Sequence, residues 1–122
     1  MPSRTPPIPR VCPAARSLDL LGDRWSLLVL REVLYGQKRF EGIHHFTGAP
    51  RDILAERLKR LTDAGLLEKQ PYNETGTRFE YVATAQGHAT RPILTALAEF
   101  GEDVLSGPPS RWRELFEIEA DE

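Results

Sequence analysis

The sequence predicts a mainly α domain with one small β-hairpin, and three stretches carry that prediction. RFEGIHHF, from Arg39, spaces its apolar residues for about two helical turns, and TGA after it is a compact turn. PRDILAERLKRLTDAGL then repeats Ile53, Leu54, Leu58, Leu61 and Leu66 along one side of a longer helix. LLEKQPYNETGTRFEYVA alternates, turns through Asn73 to Thr77 and alternates again, as a hairpin does. Two helices joined by a tight turn and followed by a two-stranded ribbon make a winged helix-turn-helix.

Along the chain, residues 1–11 read as a Pro-rich arm, too rich in proline for a regular helix. A first helix is expected from Pro13 to Leu21, with Ala14, Leu18 and Leu21 as its apolar face, ending at Gly22. Asp23 is a suitable cap for the second helix, RWSLLVLREVLYG, which is apolar nearly all round and therefore expected between other helices. In the third, Phe40, Ile43 and His44 share a face, which makes His44 a core-edge histidine. Pro50 suits the first position of the fourth helix, where its missing N–H is no loss, with Ala49 a weak cap. In the wing Phe79, Tyr81 and Ala83 line one face, and Arg78 and Glu80 the other. Thr84 should cap a helix running through Pro92 with a kink there. Beyond it Ile93, Leu94, Leu97, Phe100, Val104 and Leu105 form an amphipathic stripe that a lone small domain cannot cover, so a second subunit is the simplest cover. The division is thus an arm over 1–11, a winged domain over 12–105 and an extension with an acidic tail over 106–122.

Charge is informative only by region. The formal net charge is −2, yet Arg24 to Arg60 holds eight basic residues against four acidic, and Ser110 to Glu122 two against five. No apolar run approaches the roughly 20 residues of a membrane span, and MPSRTPPIPR lacks the apolar core of a secretion signal. The expectation is a soluble, cytoplasmic protein without a membrane partner. One cysteine excludes an intrachain disulfide and fits a reducing compartment. His44, His45 and His88 are not spaced as metal ligands, and no cofactor is expected. Nor is catalysis, because no spaced nucleophile and base, phosphate loop or metal cluster is present.

At 100° per residue, Leu54, Leu58 and Leu61 fall together on the fourth helix, opposite Asp52, Ala55, Glu56, Lys59 and Asp63. A recognition helix reads bases with its N-terminal residues, so Arg51, Asp52, Ala55 and Glu56, just after Pro50, are the candidates. Arg51 suits guanine through paired donors, while Asp52 and Glu56 either accept from cytosine or orient neighbouring arginines. Arg57, Lys59 and Arg60 read as backbone clamps or as intrahelical ion pairs, with Glu56–Arg60 in the favourable order. Lys38 and Arg39 suit phosphate, and Arg78 the minor groove or its edge. The alternative for the whole set is a surface helix whose charges only solvate it.

Cys12 precedes Pro13 at the expected start of the first helix, where unpaired N–H groups, Arg10 and Arg16 favour a thiolate. It is therefore the redox-sensing candidate, through a disulfide with its twin in a dimer, a small thiol or an electrophile. The other reading is an inert cysteine at a subunit contact. Trp25, Tyr35, Phe100 and Trp112 are candidates for an apolar ligand pocket, with core packing as the competing account.

Taken together, these residues resemble the HxlR-type winged-helix regulators of bacteria over about residues 11 to 105. CPAARSLDLLGDRW matches that family's Cys-Pro opening and Gly-Asp-Arg-Trp corner, and VLREVLYGQKRF its Leu-Arg-x-Leu, Gly and Arg-Phe. Leu54, Arg57, Leu58, Leu61, Gly65 and Leu66 match its recognition-helix pattern, and Tyr81, Thr84 and Gly87 its wing closure. Phe100-Gly101 stands for a Trp-Gly element and Ala83 for a leucine, both apolar replacements. Ala49-Pro50-Arg51-Asp52-Ile53 departs from the usual Ile-Ser-Pro-Arg/Lys-Val, so the base-reading end is this chain's own. The resemblance implies a homodimer held by its N- and C-terminal helices, binding a palindrome-like operator in double-stranded DNA as a regulator, read here as a repressor. It also implies release or modulation by an inducer, either oxidation or an electrophile at Cys12, or a small apolar or aromatic ligand. The alternative class is a winged-helix protein-interaction module without specific DNA binding.

Overall fold

The computed structural model describes residues 11–107, and the expectations for residues 1–10, Trp112 and the acidic tail lie outside them. The chain runs α1 (Pro13–Leu21), α2 (Ser26–Leu34), α3 (Phe40–Thr47), α4 (Arg51–Asp63), β1 (Leu67–Pro71), β2 (Phe79–Ala83), α5 (Ala85–His88) and α6 (Arg91–Asp103). The fold is thus mainly helical with a small antiparallel hairpin, as the periodicities predict. The two strands pair from Leu67 opposite Ala83 to Pro71 opposite Phe79.

The breadth of apolar residues on α2 has the expected consequence. Val29, Leu30 and Val33 are buried against Ile43 of α3, Leu54, Leu58 and Leu61 of α4, and Leu66 and Leu67 at the start of the wing. Trp25, Phe40 and Tyr81 close the margin of this core. Leu34 turns the other way and meets Leu94 of α6, with Tyr35, Ala83 and Ala98 beside them.

The turns follow from specific atoms. Asp23 performs the predicted capping, its Oδ1 accepting from the backbone N–H of Trp25 (2.8 Å) and Ser26 (3.0 Å). Gly48, between α3 and α4, takes φ +74°, the left-handed conformation glycine adopts at least cost, and its N–H returns to the His44 carbonyl at 3.0 Å. Thr84 Oγ1 donates to the Gly65 carbonyl (2.6 Å) and accepts from Gly87 N–H (3.1 Å), fastening the end of the wing to the corner after α4. A side chain on Gly87 would place Cβ 2.2 Å from the Leu66 carbonyl oxygen, so this packing requires glycine.

Two expectations need correction. Pro50 is the cap residue of α4 and Arg51 its first helical residue, so the helix starts one position later than predicted. The helix after Thr84 is not one kinked rod. It ends at His88, and Pro92 lies in the first turn of a separate α6, where its missing N–H breaks no hydrogen bond. α1 spans Pro13–Leu21 as expected; of its apolar face only Leu21 is buried, while Ala14 is exposed and Leu18 is 65% exposed. The outer stripe of the C-terminal segment is likewise open, with Leu97 51% and Phe100 55% exposed and Val104 and Leu105 more so. Among the described residues no helix is long and apolar enough to cross a membrane.

Candidate nucleic-acid interface

The helix-turn-helix is built to hold α4 with one face free. Thr47 Oγ1 donates to the Ile43 carbonyl (2.7 Å) and accepts from Ala49 N–H (3.2 Å), while His44 Nδ1 meets the Ala49 carbonyl at 2.9 Å. His44 is half-buried and stacks on Phe40, the predicted core-edge position. These bonds fix the turn before α4 without using the outer atoms of the helix. Leu54, Leu58 and Leu61 then anchor the inner face with no exposed surface, and Arg51, Asp52, Ala55, Glu56 and Lys59 stand outward. The 100° projection places the three leucines inward and Asp52, Ala55, Glu56 and Lys59 outward, as observed, and Arg51, which it sets on a flank, is exposed as well.

The arginines of α4 are not equivalent. Arg51 makes a paired contact with Glu41 of α3, both guanidinium nitrogens 2.8 Å from the carboxylate oxygens, in the open. That hydrogen-bonded guanidinium holds the Glu41 carboxyl below its usual range. Arg57 and Arg60 turn inward instead. Arg57 Nε donates to Asp23 Oδ1 at 2.9 Å, and Arg60 donates to Asp23, to the Leu20 carbonyl (2.9 Å) and to Ser26 Oγ (3.0 Å). Partial burial would raise the Asp23 carboxyl, but hydrogen bonds from Ser26, Trp25 and Arg57 outweigh it and hold the group well below the ordinary carboxylate range. The predicted Glu56–Arg60 pair is therefore not formed, because Arg60 has a tertiary partner; Glu56 pairs with Arg57. Lys59 makes the intrahelical kind of pair, with Asp63 at 2.7 Å.

The wing joins this surface through α3. Tyr81 N–H donates to the Lys38 carbonyl at 2.7 Å, tying β2 to the segment that opens α3. Arg39 lies 4.1 Å over the Tyr72 ring and 3.6 Å from Glu80. Arg39, Phe40, Glu41, Tyr72, Arg78 and Phe79 line a groove of about 330 Å³. Since Glu41 also holds Arg51, one surface runs from the start of α4 across α3 to the hairpin. Arg78 is exposed and its side chain has no partner among the described residues. Phe79, expected on one face of the strand with Tyr81, is exposed at the groove, with Lys69 Nζ 4.4 Å from its ring.

Sequence reasoning missed Asp23 as the partner of two α4 arginines, Glu41 as the partner of the third, and Tyr72 under Arg39. The only local sign was a carboxylate at a helix corner, which capping already explained.

Cys12 is the cap residue of α1, and its thiol is exposed. Of the ligand-pocket candidates, the three among the described residues lie in separate places. Trp25 belongs to the main core, Tyr35 to the smaller cluster around Leu34 and Leu94, and Phe100 to the open stripe, while Trp112 is outside the described residues. Core packing accounts for Trp25 and Tyr35.

A model of the HxlR-like helix-turn-helix family matches residues 20–108, which contain the whole helix-turn-helix and wing. The chain belongs to the HxlR-like helix-turn-helix family. An uncharacterised HTH-type transcriptional regulator of Mycobacterium tuberculosis is 37% identical over 101 residues, 80% of this chain and 64% of the relative. The chain thus spans slightly less than two thirds of that relative's length. Among solved structures, PA1607, described as a transcription factor, is similar at 38% identity and TM-score 0.74, over 82% of this chain and 70% of that one. The reduced form of the transcriptional regulator YodB from Bacillus subtilis is similar at 28% identity and TM-score 0.67, over 81% of this chain and all of that one. YodB is also known in a quinone-bound form. This HxlR-like chain therefore has the fold and family expected from its motifs, and the family's residue matches cover the corner at Asp23 as well as α4.

Proposed function

We propose that this HxlR-like protein is a transcriptional regulator that binds a palindrome-like operator in double-stranded DNA as a homodimer. The observation that carries the reading is the free face of α4 above a fully buried leucine row, continuous with a basic ridge on α3 and the wing. In this reading the start of α4 enters the major groove just after Pro50, with Arg51, Asp52, Ala55 and Glu56 nearest the bases. Lys38, Arg39 and Arg78 hold phosphates or the minor-groove edge, and Lys59 a flanking phosphate once it leaves Asp63. Arg57 and Arg60, engaged by Asp23, support the helix from behind.

The exposed stripe of α6, together with Leu18 on α1, supports dimerisation through the terminal helices. Cys12 at the exposed start of α1 supports a thiol signal, with a small apolar or aromatic ligand as the other form of inducer. The simplest chemistry joins two Cys12 thiols of a dimer as one disulfide, with two protons and two electrons passing to the oxidant. The relatives named as transcriptional regulators, and the quinone-bound YodB, agree with this direction.

Fluorescence anisotropy of the reduced protein with DNA from its own promoter region, repeated after a mild thiol oxidant, tests the reading. Tight, salt-dependent binding that oxidation abolishes, and that persists in oxidised Cys12→Ser, supports both the regulator and the thiol signal. Tight binding that oxidation leaves unchanged keeps the regulator and rejects the thiol. Weak binding without salt dependence favours a protein-interaction module.

A further inference from the structure

We infer that Asp23 is a positioning residue for DNA reading: its carboxylate is the joint that sets α4 against the α1–α2 corner. The inference rests on the DNA-binding role of α4 proposed above. Five groups converge on this one side chain. Its Oδ1 accepts from Trp25 N–H, Ser26 N–H and Arg57 Nε at 2.8, 3.0 and 2.9 Å, while its Oδ2 accepts from Ser26 Oγ at 2.6 Å and from Arg60. Three of these donors, on Trp25 and Ser26, open α2 and two belong to α4, more than thirty residues onward. Arg60 extends the joint to α1 through the Leu20 carbonyl, the last turn of the helix that Cys12 caps.

The geometry explains why such a joint controls specificity and not only stability. Leu54, Leu58 and Leu61 bury the inner face of α4, but an apolar contact is non-directional and tolerates rotation of the rod about its axis. Arg57 and Arg60 stand three positions apart on one flank, so fixing both guanidinium groups to one carboxylate fixes that rotation. Arg57 also pairs with Glu56, so the same joint orients a residue of the base-facing side. The Nε of Arg60 is buried without a hydrogen-bond partner, which leaves its guanidinium held from the terminal nitrogen alone. A shift of α1 therefore reaches the reading helix through Leu20, Arg60, Asp23 and Arg57, without passing through the leucine core.

The test compares wild type and Asp23→Asn in binding a promoter duplex and a random duplex across a salt series, with thermal unfolding as the control. Asn keeps the shape but loses the charge and one acceptor. The expected result is a folded variant that binds the promoter duplex about tenfold or more weakly, binds the random duplex within about twofold of wild type, and keeps its salt slope. A folded variant with unchanged promoter affinity, or equal losses on both duplexes, overturns the inference. If Asp23→Asn does not fold, Arg60→Lys answers the same question, since it keeps the charge while losing the planar contact to Asp23 and Leu20. A wild type that shows no promoter preference defeats the regulator reading, and amide hydrogen exchange then decides the joint on its own. Faster exchange along α4 than in the wing of the variant upholds it, and unchanged α4 exchange overturns it.

Discussion

Replacing Arg78 by alanine isolates the electrostatic share of DNA binding. Its guanidinium is exposed and unpartnered among the described residues, and the hydrogen bonds at this position use only its backbone. The Arg78 N–H donates to Asn73 Oδ1 at 3.2 Å and its carbonyl accepts from Tyr72 N–H at 3.1 Å, so both survive in alanine. With Lys59 still on Asp63, the proposed homodimer presents Lys38, Arg39 and Arg78 from each protomer to about six phosphates, which sets a slope of log affinity on log salt of about −5. Between about 50 and 200 mM salt, affinity then falls about a thousandfold. Losing Arg78 from both protomers removes about two contacts and makes the slope shallower by about 1.8, equally on promoter and random duplexes. Anisotropy titrations at four or more salt concentrations read this directly. An unchanged slope refutes the placement of the wing on the backbone, and a loss confined to the promoter duplex makes Arg78 a reader of bases.

Three further outcomes are expected. Leu58→Ala, in a side chain with no exposed surface, lowers stability by about 2–5 kcal/mol in urea unfolding at fixed protein concentration. Asp23 has a depressed folded-state pKa, so its contribution is complete above its ordinary value of about 3.8 and fades as pH falls through the folded value. Urea unfolding should therefore show a gap between wild type and Asp23→Asn that is constant near neutral pH and narrows below about pH 4. Phe100→Asp puts a charge on the open stripe of α6 and should shift the protein to monomer in sedimentation velocity while preserving its helical content.

The sequence displayed what depends on near neighbours. The leucine row of α4, the all-round apolar character of α2 and the alternation of the wing each repeat within a few residues; each predicts its element, and the first two also predict what is buried. The uncovered stripe of α6 was legible for the same reason. What escaped depends on how those elements lie against one another. Arg60 has a favourable partner four residues before it, and local rules choose Glu56; packing α4 against the α1–α2 corner supplies Asp23 and the Leu20 carbonyl instead. Glu41 lies ten residues from Arg51, with a turn between them, and Tyr72 sits in a different element from Arg39. Proline misled in another way. Pro92 reads as a kink within a helix, yet the same missing N–H fits the first turn of a new one, and sequence periodicity cannot distinguish the two.

Burial divides the α4 arginines by the task each can perform. The Arg51–Glu41 side chains are 59% and 70% exposed, so water competes for both ends and the pair exchanges partners at little cost. Under the proposed function Glu41 is a holder, keeping the guanidinium extended beside the start of α4 for a base edge with an equivalent pair of acceptors. The Arg57–Asp23 pair is about 20% exposed on each side, so water competes little for it, and Trp25, Ser26 and Arg60 hold the same carboxylate in place. An arginine so fixed is poorly suited to follow a DNA groove and well suited to hold the helix that does. Under the proposed function the free face of α4 and the fixed flank behind it are thus two parts of one device, in which the exchangeable arginine meets the DNA and the buried pair sets where it stands.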